Sequence, residues 1–341
     1  NVRERQRAEI NSMQYGTIVH YILERFFGEY TKEEYLSLEE DKFQKIVCAY
    51  LAEYAVKYFG EEQLESNSFT YRLKTILDNV MYLMKHIMEE LSQSEFFVAD
   101  CELKIGEDIP SYTIVLPDGH KIAVCGSVDR VDTMQRADIT YLRIIDYKTG
   151  TKQFKLSDIL YGINLQMLLY LHSIEASGGD KYGEIVPAGI LYMPATVPYI
   201  SSDSLKSIDK LPDELNKKLK MNGLLLKDTE IIHGMDKTDA ATYIPVKIKA
   251  GEPVSSTSLA TLAEFGKIFK KVDMLIAEMG KNIYNGNIEA KPLKGGHDSC
   301  EYCPYDSVCA YRQSNPITCF SVDNKTVIEE ITNEINGKEE E

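Results

Sequence analysis

The sequence lacks the features of a membrane, secreted or nucleotide-binding protein. No stretch approaches the ~18 unbroken apolar residues that a membrane helix requires. The first nine residues are charged, with neither an initiator Met nor an apolar signal core. There is no G-x-x-x-x-G-K-[ST] loop, no internal repeat and no low-complexity tract. We therefore expect a cytoplasmic fragment of a longer protein that does not itself bind ATP.

Positive charge is also scarce. The chain has 38 Lys and Arg against 53 Asp and Glu, a formal net charge of −15. Nucleic-acid binders usually show a basic surface, because neutralising phosphates releases counterions. However, a metal-binding enzyme concentrates carboxylates at its centre, and a domain inside a complex can use a partner's basic channel. The charge argues against strong DNA binding by the chain alone without excluding the chemistry.

The hydrophobic content of 44% and charged content of 27% are typical of a soluble globular protein. A length of 341 residues allows one large domain or two ordinary ones. Because the cysteine count is odd and no secretory signal is present, we do not expect a disulfide framework. Cys48, Cys101 and Cys125 stand singly in apolar or strand-like contexts, which predicts buried, inert thiols.

Hydrophobic periodicity changes from helical to alternating and back along the chain. Helices are predicted at about Ala8–Tyr30, 40–60, 68–95, Ser157–Ser173 and Ser258–Tyr284. Strands are predicted at Phe97–Ile105, Tyr112–Leu116, Lys121–Val131, Tyr141–Lys148 and about Ala188–Tyr192, with a hairpin turn at Pro117-Asp118-Gly119.

This order predicts an α/β or α+β fold, a mixed β-sheet flanked by helices with a helical N-terminal segment. We expect a single domain over residues 1–320, followed by an acidic tail at 321–341 that frays after Cys319. Its parts would be a helical layer at 1–96, the sheet with its helix at 97–195, an insertion at 196–258, and a helix with a cysteine cluster at 259–320.

The most informative stretch combines Gly126-Ser-Val-Asp-Arg-Val-Asp132 with Ile144-Ile-Asp-Tyr-Lys-Thr-Gly150. Asp146 and Lys148 are two apart on a predicted strand, so their side chains leave one face of the sheet. Asp129, expected at the end of the preceding strand, can reach the same place. Such a pair suits a hard cation and a phosphate. A solvated Asp–Lys pair is the plainer interpretation of Asp-x-Lys alone, and Asp132 is expected to pair with Arg130 or cap the hairpin.

Two helices add candidates. Gln166 and Tyr170 are four apart and share a helix face, although such a pair alone is more typical of an ordinary helix surface. His20 follows Gly16 in the first helix, where a hydrogen-bonded core histidine is the alternative to a metal ligand. Glu102, on the strand from Phe97, is either a further carboxylate or an exposed strand residue.

Taken in order, these motifs resemble the RecB-like branch of the PD-(D/E)xK nuclease superfamily. That branch has a G-x-x-x-H helix, a G-x-x-D-R-x-D strand, a D-Y-K-T-G strand and a Q-x-x-x-Y helix. The resemblance implies a restriction-endonuclease-like fold and a Mg²⁺- or Mn²⁺-dependent deoxyribonuclease. The residues carried over as metal ligands are His20, Asp129 and Asp146. Those carried over as catalytic residues are Asp129, Asp146, Lys148, Gln166 and Tyr170.

A cluster at Cys300, Cys303 and Cys309 has C-x2-C-x5-C spacing, which suits zinc or an iron–sulfur cluster. By spacing alone, Cys319, His297 or an upstream Cys could be a fourth ligand. Over about residues 10–315, the chain resembles the nuclease domains of AddB-type helicase–nuclease proteins. In those domains four cysteines bind a [4Fe–4S] cluster that links the two ends of the domain. This resemblance implies a fourth cysteine ligand upstream of Asn1, and therefore an incomplete or missing cluster here. It also implies an AddA-type partner and, as the substrate, single-stranded DNA from duplex ends during recombinational repair.

Two rival hypotheses remain open. One is a domain that guides single-stranded DNA and has lost catalysis, which the intact Asp129, Asp146 and Lys148 disfavour. The other is an unrelated regulatory protein with a zinc site, which leaves the hairpin motifs unexplained. Visible absorption separates an iron–sulfur cluster from zinc.

We also expect the helical N-terminal segment and the cysteine segment to meet in space.

Overall fold

The computed structural model describes residues 10–150, 152–198, 200, 211–255, 257–305, 308–309 and 316–339. The α-helices are α1 Ser12–Glu29, α2 Lys32–Leu36, α3 Glu40–Phe59, α4 Glu61–Leu64, α5 Asn67–Ser92, α6 Gln166–Ser177, α7 Gly179–Tyr182, α8 Leu211–Leu219, α9 Thr229–Met235, α10 Leu262–Tyr284 and α11 Asn324–Glu339. The strands are β1 Phe97–Ile105, β2 Tyr112–Val115, β3 Lys121–Val124, β4 Gly126–Arg136, β5 Ile139–Lys148, β6 Glu184–Pro194, β7 Asn222–Leu226, β8 Lys247–Lys249, β9 Glu252–Val254, β10 Leu259–Ala260, β11 Leu293–Gly295 and β12 Ile317–Cys319.

A six-stranded mixed sheet forms the centre of the fold, in the order β1-β4-β5-β6-β7-β10. The pairs β5–β6 and β7–β10 are parallel and the other pairs are antiparallel. Helix α6 follows β5 and packs against β6, as expected for the crossover that a parallel pair requires. The predicted mixed sheet flanked by helices is confirmed, as is the β2–β3 hairpin around Gly119.

The helical N-terminal layer contacts this sheet through α1. Helix α1 starts with a capping box, in which Asn11 accepts from the Gln14 N–H and the Gln14 side chain accepts from the Asn11 N–H. Its apolar face buries Ile18, Ile22 and Phe26 completely against α3 and β1. This packing holds α1 at the sheet edge, where His20 leaves the helix toward β1 and β4.

Four charged side chains are buried beneath β4 and β5. Arg130, Asp132, Arg143 and Glu90 have no solvent exposure. Arg130 donates to both oxygens of Asp132 at 2.7 Å and to Glu90 at 3.0 Å, and Arg143 donates to Glu90 at 2.6 Å. Arg130 also donates to the hydroxyl of Tyr147 at 3.3 Å. The predicted Arg130–Asp132 pair is confirmed, and it fixes the strand that carries Asp129.

The helix predicted at Ser157–Ser173 is wrong as a single element. A 3₁₀ helix at Leu156–Tyr161 ends at Gly162, which has φ +67°, and α6 starts only at Gln166. Asn164, at φ 54°, also lies in the left-handed region, which glycine and asparagine tolerate. The apolar pattern continues across this break, so periodicity alone did not reveal it.

Two other regions contribute secondary structure to the fold. Residues 196–258, predicted as an insertion, supply β7 to the central sheet. The expectation that the chain frays after Cys319 is wrong, because α11 buries Val327 and Ile331 completely and packs against α10. None of the helices in the described part of the chain is long and apolar enough to cross a membrane.

Candidate active site

Three side chains from different elements converge at the edge of the sheet. His20 comes from α1, Glu102 from β1 and Asp129 from β4, and one ligand atom from each lies within 4.8 Å of the others. His20 Nδ1 lies 2.9 Å from Glu102 Oε1, and His20 Nε2 lies 3.6 Å from Asp129 Oδ2. An imidazole and two carboxylates suit a divalent cation such as Mn²⁺. Among the described residues this is the one such group of His, Cys, Asp and Glu.

Strand register explains why Asp129 faces the D-x-K strand. Arg130 pairs with Ile145, so Asp129 lies opposite Asp146 in the antiparallel pair. The N–H of Tyr147 donates to Asp129 Oδ2 at 2.9 Å. Asp129 therefore lies near the beginning of β4, and not at a strand end as predicted. The predicted proximity to Asp146 holds because β5 runs in the opposite direction.

Glu102 adopts a backbone conformation that is rare for a residue with a side chain. Its φ is 51°, in the left-handed region, which costs on the order of 1–3 kcal/mol outside glycine. Its β1 neighbours, Cys101 and Leu103, pair with Arg130 and Val128, so Glu102 is opposite Asp129. Strained residues of this kind cluster at functional sites. The sequence allowed Glu102 to be either a further carboxylate of the site or an exposed strand residue. The structure places it beside His20 and Asp129.

The Glu102 carboxylate is held from both sides. His20 contacts one oxygen, and the Ser127 hydroxyl donates to the other at 2.9 Å. The hydrogen bond with His20 is the main cause that lowers the pKa of Glu102, against the opposing effect of burial, and Ser127 lowers it further. These contacts hold the Glu102 side chain in place and favour its ionised form. Ser127 was not singled out from the sequence, because a serine in a strand carries no specific signal.

Asp129 has the opposite electrostatic character. Its pKa is raised to about 6, mainly by burial; His20 and the Tyr147 N–H lower the pKa, and the charge of Asp146 raises it. Burial lowers the pKa of His20, but its hydrogen bond to Glu102 and the charges of Asp129, Glu102 and Asp146 together raise it. Buried carboxylates that repel each other favour a nearby cation. The site thus has the charge imbalance that a metal would relieve.

Asp146 and Lys148 form a close pair beside this group. Lys148 Nζ lies 2.5 Å from Asp146 Oδ2, yet this buried oxygen has no partner with hydrogen-bond geometry. The contact is therefore mainly electrostatic and leaves the carboxylate able to accept another ligand. Asp146 is not in the three-ligand group, which contains Glu102 in its place. The assignment of Asp146 as a ligand and of Lys148 as catalytic stays a prediction.

Gln166 and Tyr170 lie on one face of α6, as predicted, with Gln166 Nε2 3.5 Å from the Tyr170 hydroxyl. The Tyr170 ring lies over Gly126, where an added Cβ would be only 2.2 Å from the hydroxyl oxygen. Gly126 therefore allows the tyrosine to approach the start of β4, one residue from Ser127. The structure shows this packing role and does not test the predicted catalytic role of the pair.

An open cleft of about 690 Å³ lies over the group. Three lysines line it, namely Lys104, Lys148 and Lys152, together with two acidic residues, Glu24 and Glu102. The cleft thus presents lysine ammonium groups beside carboxylates, although the chain has a net charge of −15. Lys104 and Lys152 had no motif to identify them in the sequence.

The cysteines differ from expectation in part. Cys48 and Cys125 are exposed, so the prediction of buried thiols is wrong for these two, whereas burial raises the pKa of Cys101 to about 12. Cys300 and Cys303 are half-buried on a turn and Cys309 is exposed. Among the described residues, these three sulfurs are not grouped with another ligand, and the predicted cluster stays a prediction.

Comparison with known proteins gives an independent view of the chain. A family profile described as the PD-(D/E)XK nuclease superfamily matches residues 1–310. The chain is similar to proteins named as the B component of an ATP-dependent helicase/deoxyribonuclease. It is 33% identical to the one from Thermoanaerobacter sp. (strain X514), over 91% of this chain and 28% of that protein. It is 31% identical to the relative from Alkaliphilus oremlandii (strain OhILAs), over 97% of this chain and 30% of that protein. It is 33% identical to the relative from Clostridium kluyveri (strain NBRC 12016), over 100% of this chain and 30% of that protein. The chain spans about 30% of the length of these relatives.

Proposed function

Since the chain belongs to the PD-(D/E)XK nuclease superfamily, we propose that it hydrolyses DNA phosphodiester bonds with Mg²⁺ or Mn²⁺. The observation that supports this most directly is the convergence of His20, Glu102 and Asp129 beside the Asp146–Lys148 pair, in an open cleft lined by lysines. An ordinary helix–sheet contact would not place a strained glutamate, a half-buried aspartate and a histidine around one point.

The residues present fit a divalent metal. His20, Glu102 and Asp129 would hold it, and Asp146, whose Oδ2 is ion-paired with Lys148, would accept a further contact. When bound, the metal would supply the positive charge that acidifies an attacking water and neutralises charge on the phosphate. Ser127 orients Glu102, and the Tyr147 N–H orients Asp129, so two of the three ligands are positioned by other groups.

The remaining residues would bind and orient the substrate. Lys148 would donate to a phosphoryl oxygen or the attacking water, because its ammonium lies at the end of β5 with 28% of the side chain exposed. Gln166 and Tyr170 would hydrogen-bond the DNA backbone or the water network near the start of β4. Backbone contacts carry no base identity, so we expect largely sequence-independent cleavage.

We extend the proposal to the longer proteins that the chain resembles. Because they are named as components of an ATP-dependent helicase/deoxyribonuclease, we infer that this chain is the nuclease domain of such a component. It would act with an AddA-type partner, as an exonuclease on a strand released from a duplex end during double-strand break repair. Cys300, Cys303 and Cys309 would bind a [4Fe–4S] cluster with a ligand outside this chain. No step of hydrolysis requires that cluster.

The test is cleavage of end-labelled single-stranded DNA with Mg²⁺ or Mn²⁺, alongside EDTA and the Asp129→Asn variant. Asparagine can still accept the Tyr147 N–H, so the fold is kept while a ligand charge is lost. We expect cleavage to need metal and to fall by about 10²-fold or more in the variant. The matched control is Asp138→Asn, at an exposed position beyond the end of β4, which should cleave like the wild type.

Titration with Mn²⁺ gives a second measurement. Asp129→Asn should bind Mn²⁺ more weakly than the wild type. Without metal, its thermal unfolding midpoint should be equal or higher, because the variant no longer carries a charge that burial disfavours. Full cleavage by this variant would overturn the site assignment. If the wild type were inert even within the longer protein and its partner complex, yet still bound DNA, the rival interpretation as a DNA-guiding module would replace ours.

A further inference from the structure

A row of three tyrosines lies along one wall of the cleft. Tyr54 and Tyr58 are one turn apart on α3, and Tyr21 follows His20 on α1. The ring centroids of Tyr21 and Tyr54 are 5.2 Å apart, and those of Tyr54 and Tyr58 are 4.4 Å apart. All three line the same cleft as His20 and Glu102. The row therefore connects the cleft wall with the helix that carries a metal ligand.

The middle ring of the row is buried and the ring at one end is open to solvent. Tyr54 is only 5% exposed, whereas Tyr58 is 55% exposed. The Tyr21 hydroxyl donates to Glu53 at 2.8 Å, which holds that ring in place. Packing explains Tyr54, which belongs to the core. Packing does not explain why a large ring at position 58 remains in solvent on top of a fixed aromatic neighbour.

Positive charge accompanies the exposed ring. Lys57 Nζ lies 5.1 Å from the Tyr58 ring centroid, and Lys104, Lys148 and Lys152 line the cleft. Aromatic faces next to cations that follow a backbone are the combination that binds single-stranded nucleic acid. In a duplex each base is already stacked on its neighbours in the same strand. A single exposed tyrosine ring can therefore stack on an unpaired base more readily than on a paired one.

We propose that Tyr58, supported from below by Tyr54 and Tyr21, stacks on an unpaired base of the DNA strand held in this cleft. The inference rests on the proposed nuclease function and names the residue through which the cleft would favour a single strand over a duplex. Every base has a π-face, so the contact does not depend on sequence. Tyr58 thus contributes strand-type specificity, while the groups around His20 and Asp129 perform the chemistry.

The experiment measures binding of a fluorescent oligothymidylate of ~12 nucleotides in EDTA, so that hydrolysis does not occur. Tyr58→Leu keeps an apolar side chain and removes the ring. We expect its dissociation constant for single-stranded DNA to rise about 5- to 50-fold, with little change for blunt duplex DNA. Tyr58→Phe keeps the ring and should bind like the wild type. The control Tyr71→Leu removes a 73% exposed tyrosine on α5, outside the cleft, and should also bind like the wild type.

Oligonucleotides with a single abasic site, placed at successive positions, locate the stacked base. At one position the missing base should weaken wild-type binding by the same factor as Tyr58→Leu, and the two changes together should cost no more than either alone. Equal binding by Tyr58→Leu and wild type, or losses that multiply at every abasic position, would overturn the proposal. Because these readouts need no cleavage, they distinguish this inference from the nuclease assignment. Metal-dependent cutting with unaltered Tyr58→Leu binding would leave the nuclease standing, and Tyr58-dependent binding without cutting would leave only the stacking site.

Discussion

At the scale of single residues, the site contains two kinds of carboxylate. Hydrogen bonds with His20 and Ser127 lower the pKa of Glu102, whereas burial raises the pKa of Asp129 and disfavours its charged form. A cation that satisfies Asp129 therefore removes an energetic penalty that the fold would otherwise carry. Lys148 differs from both carboxylates, because its ammonium is ion-paired with Asp146, which lies outside the group of His20, Glu102 and Asp129.

Replacing Lys148 with methionine should separate metal binding from catalysis. The variant keeps the stem of the side chain but removes an ammonium that lies 2.5 Å from Asp146. We expect Mn²⁺ affinity, measured by calorimetry, to stay equal or increase, because the ammonium repels the metal. Cleavage at saturating metal should fall by about 10²- to 10³-fold, as when a donor to the transition state is removed.

The matched control is Lys121→Met, on β3 and away from the cleft, for which neither quantity should change. A Lys148→Met variant that lost Mn²⁺ binding in parallel with cleavage would show that the lysine supports the ligands instead of the reaction.

At the scale of elements, the site depends on the contact between α6 and the start of β4. The Tyr170 ring occupies the space above Gly126, with its Cζ only 2.6 Å from where a Cβ would be. Because both near atoms belong to a ring on a packed helix, the clash cannot be relieved unless the ring or the helix shifts. The position of Tyr170 in the helix motif therefore requires a glycine at position 126 in the hairpin motif.

Gly126→Ala should force Tyr170 out of place and lower the free energy of unfolding by about 1–3 kcal/mol. Cleavage should fall as well, because β4 carries Ser127 and Asp129. In a Tyr170→Ala background the same change should cost almost nothing, since the clash is gone. Urea unfolding of the two single variants and the double variant measures this coupling.

Gly266→Ala on α10, where a Cβ meets nothing within 4 Å, controls for the substitution itself and should leave stability equal or slightly higher. Additive losses in the Gly126 and Tyr170 cycle would mean that the two residues act independently.

At the scale of the whole molecule, the distribution of charge matters more than its sum. Three lysines line the cleft while the chain carries −15 overall. If Lys104, Lys148 and Lys152 are the main phosphate contacts, the affinity for single-stranded DNA should fall with salt at a log–log slope of about −2. Fluorescence anisotropy in EDTA over a series of KCl concentrations measures that slope.

Lys152→Gln should reduce the magnitude of the slope by about 0.7 and weaken binding to all sequences alike. Lys121→Gln, outside the cleft, should leave it unchanged. A much steeper slope in the wild type, insensitive to Lys152, would mean that DNA binds elsewhere on the surface.

The sequence by itself determined the local parts of this protein. Alternation marked Phe97–Ile105 as a strand with the bounds that the structure gives, because pleating repeats every two residues. It also indicated that Asp146 and Lys148 share a face, since a two-residue spacing on one strand does not depend on distant contacts. The ordered motifs indicated the family, which the match over residues 1–310 confirms.

Tertiary structure decided what lies next to what. Glu102 enters the site because its left-handed backbone places it opposite Asp129, a conformation that no local pattern indicates. Gly126 is required by Tyr170, which is distant along the chain, and α11 is held by burial against α10 and not by its own acidic sequence. Such contacts depend on which surfaces meet when β4, β5 and their helices pack, and that information is distributed over the whole chain.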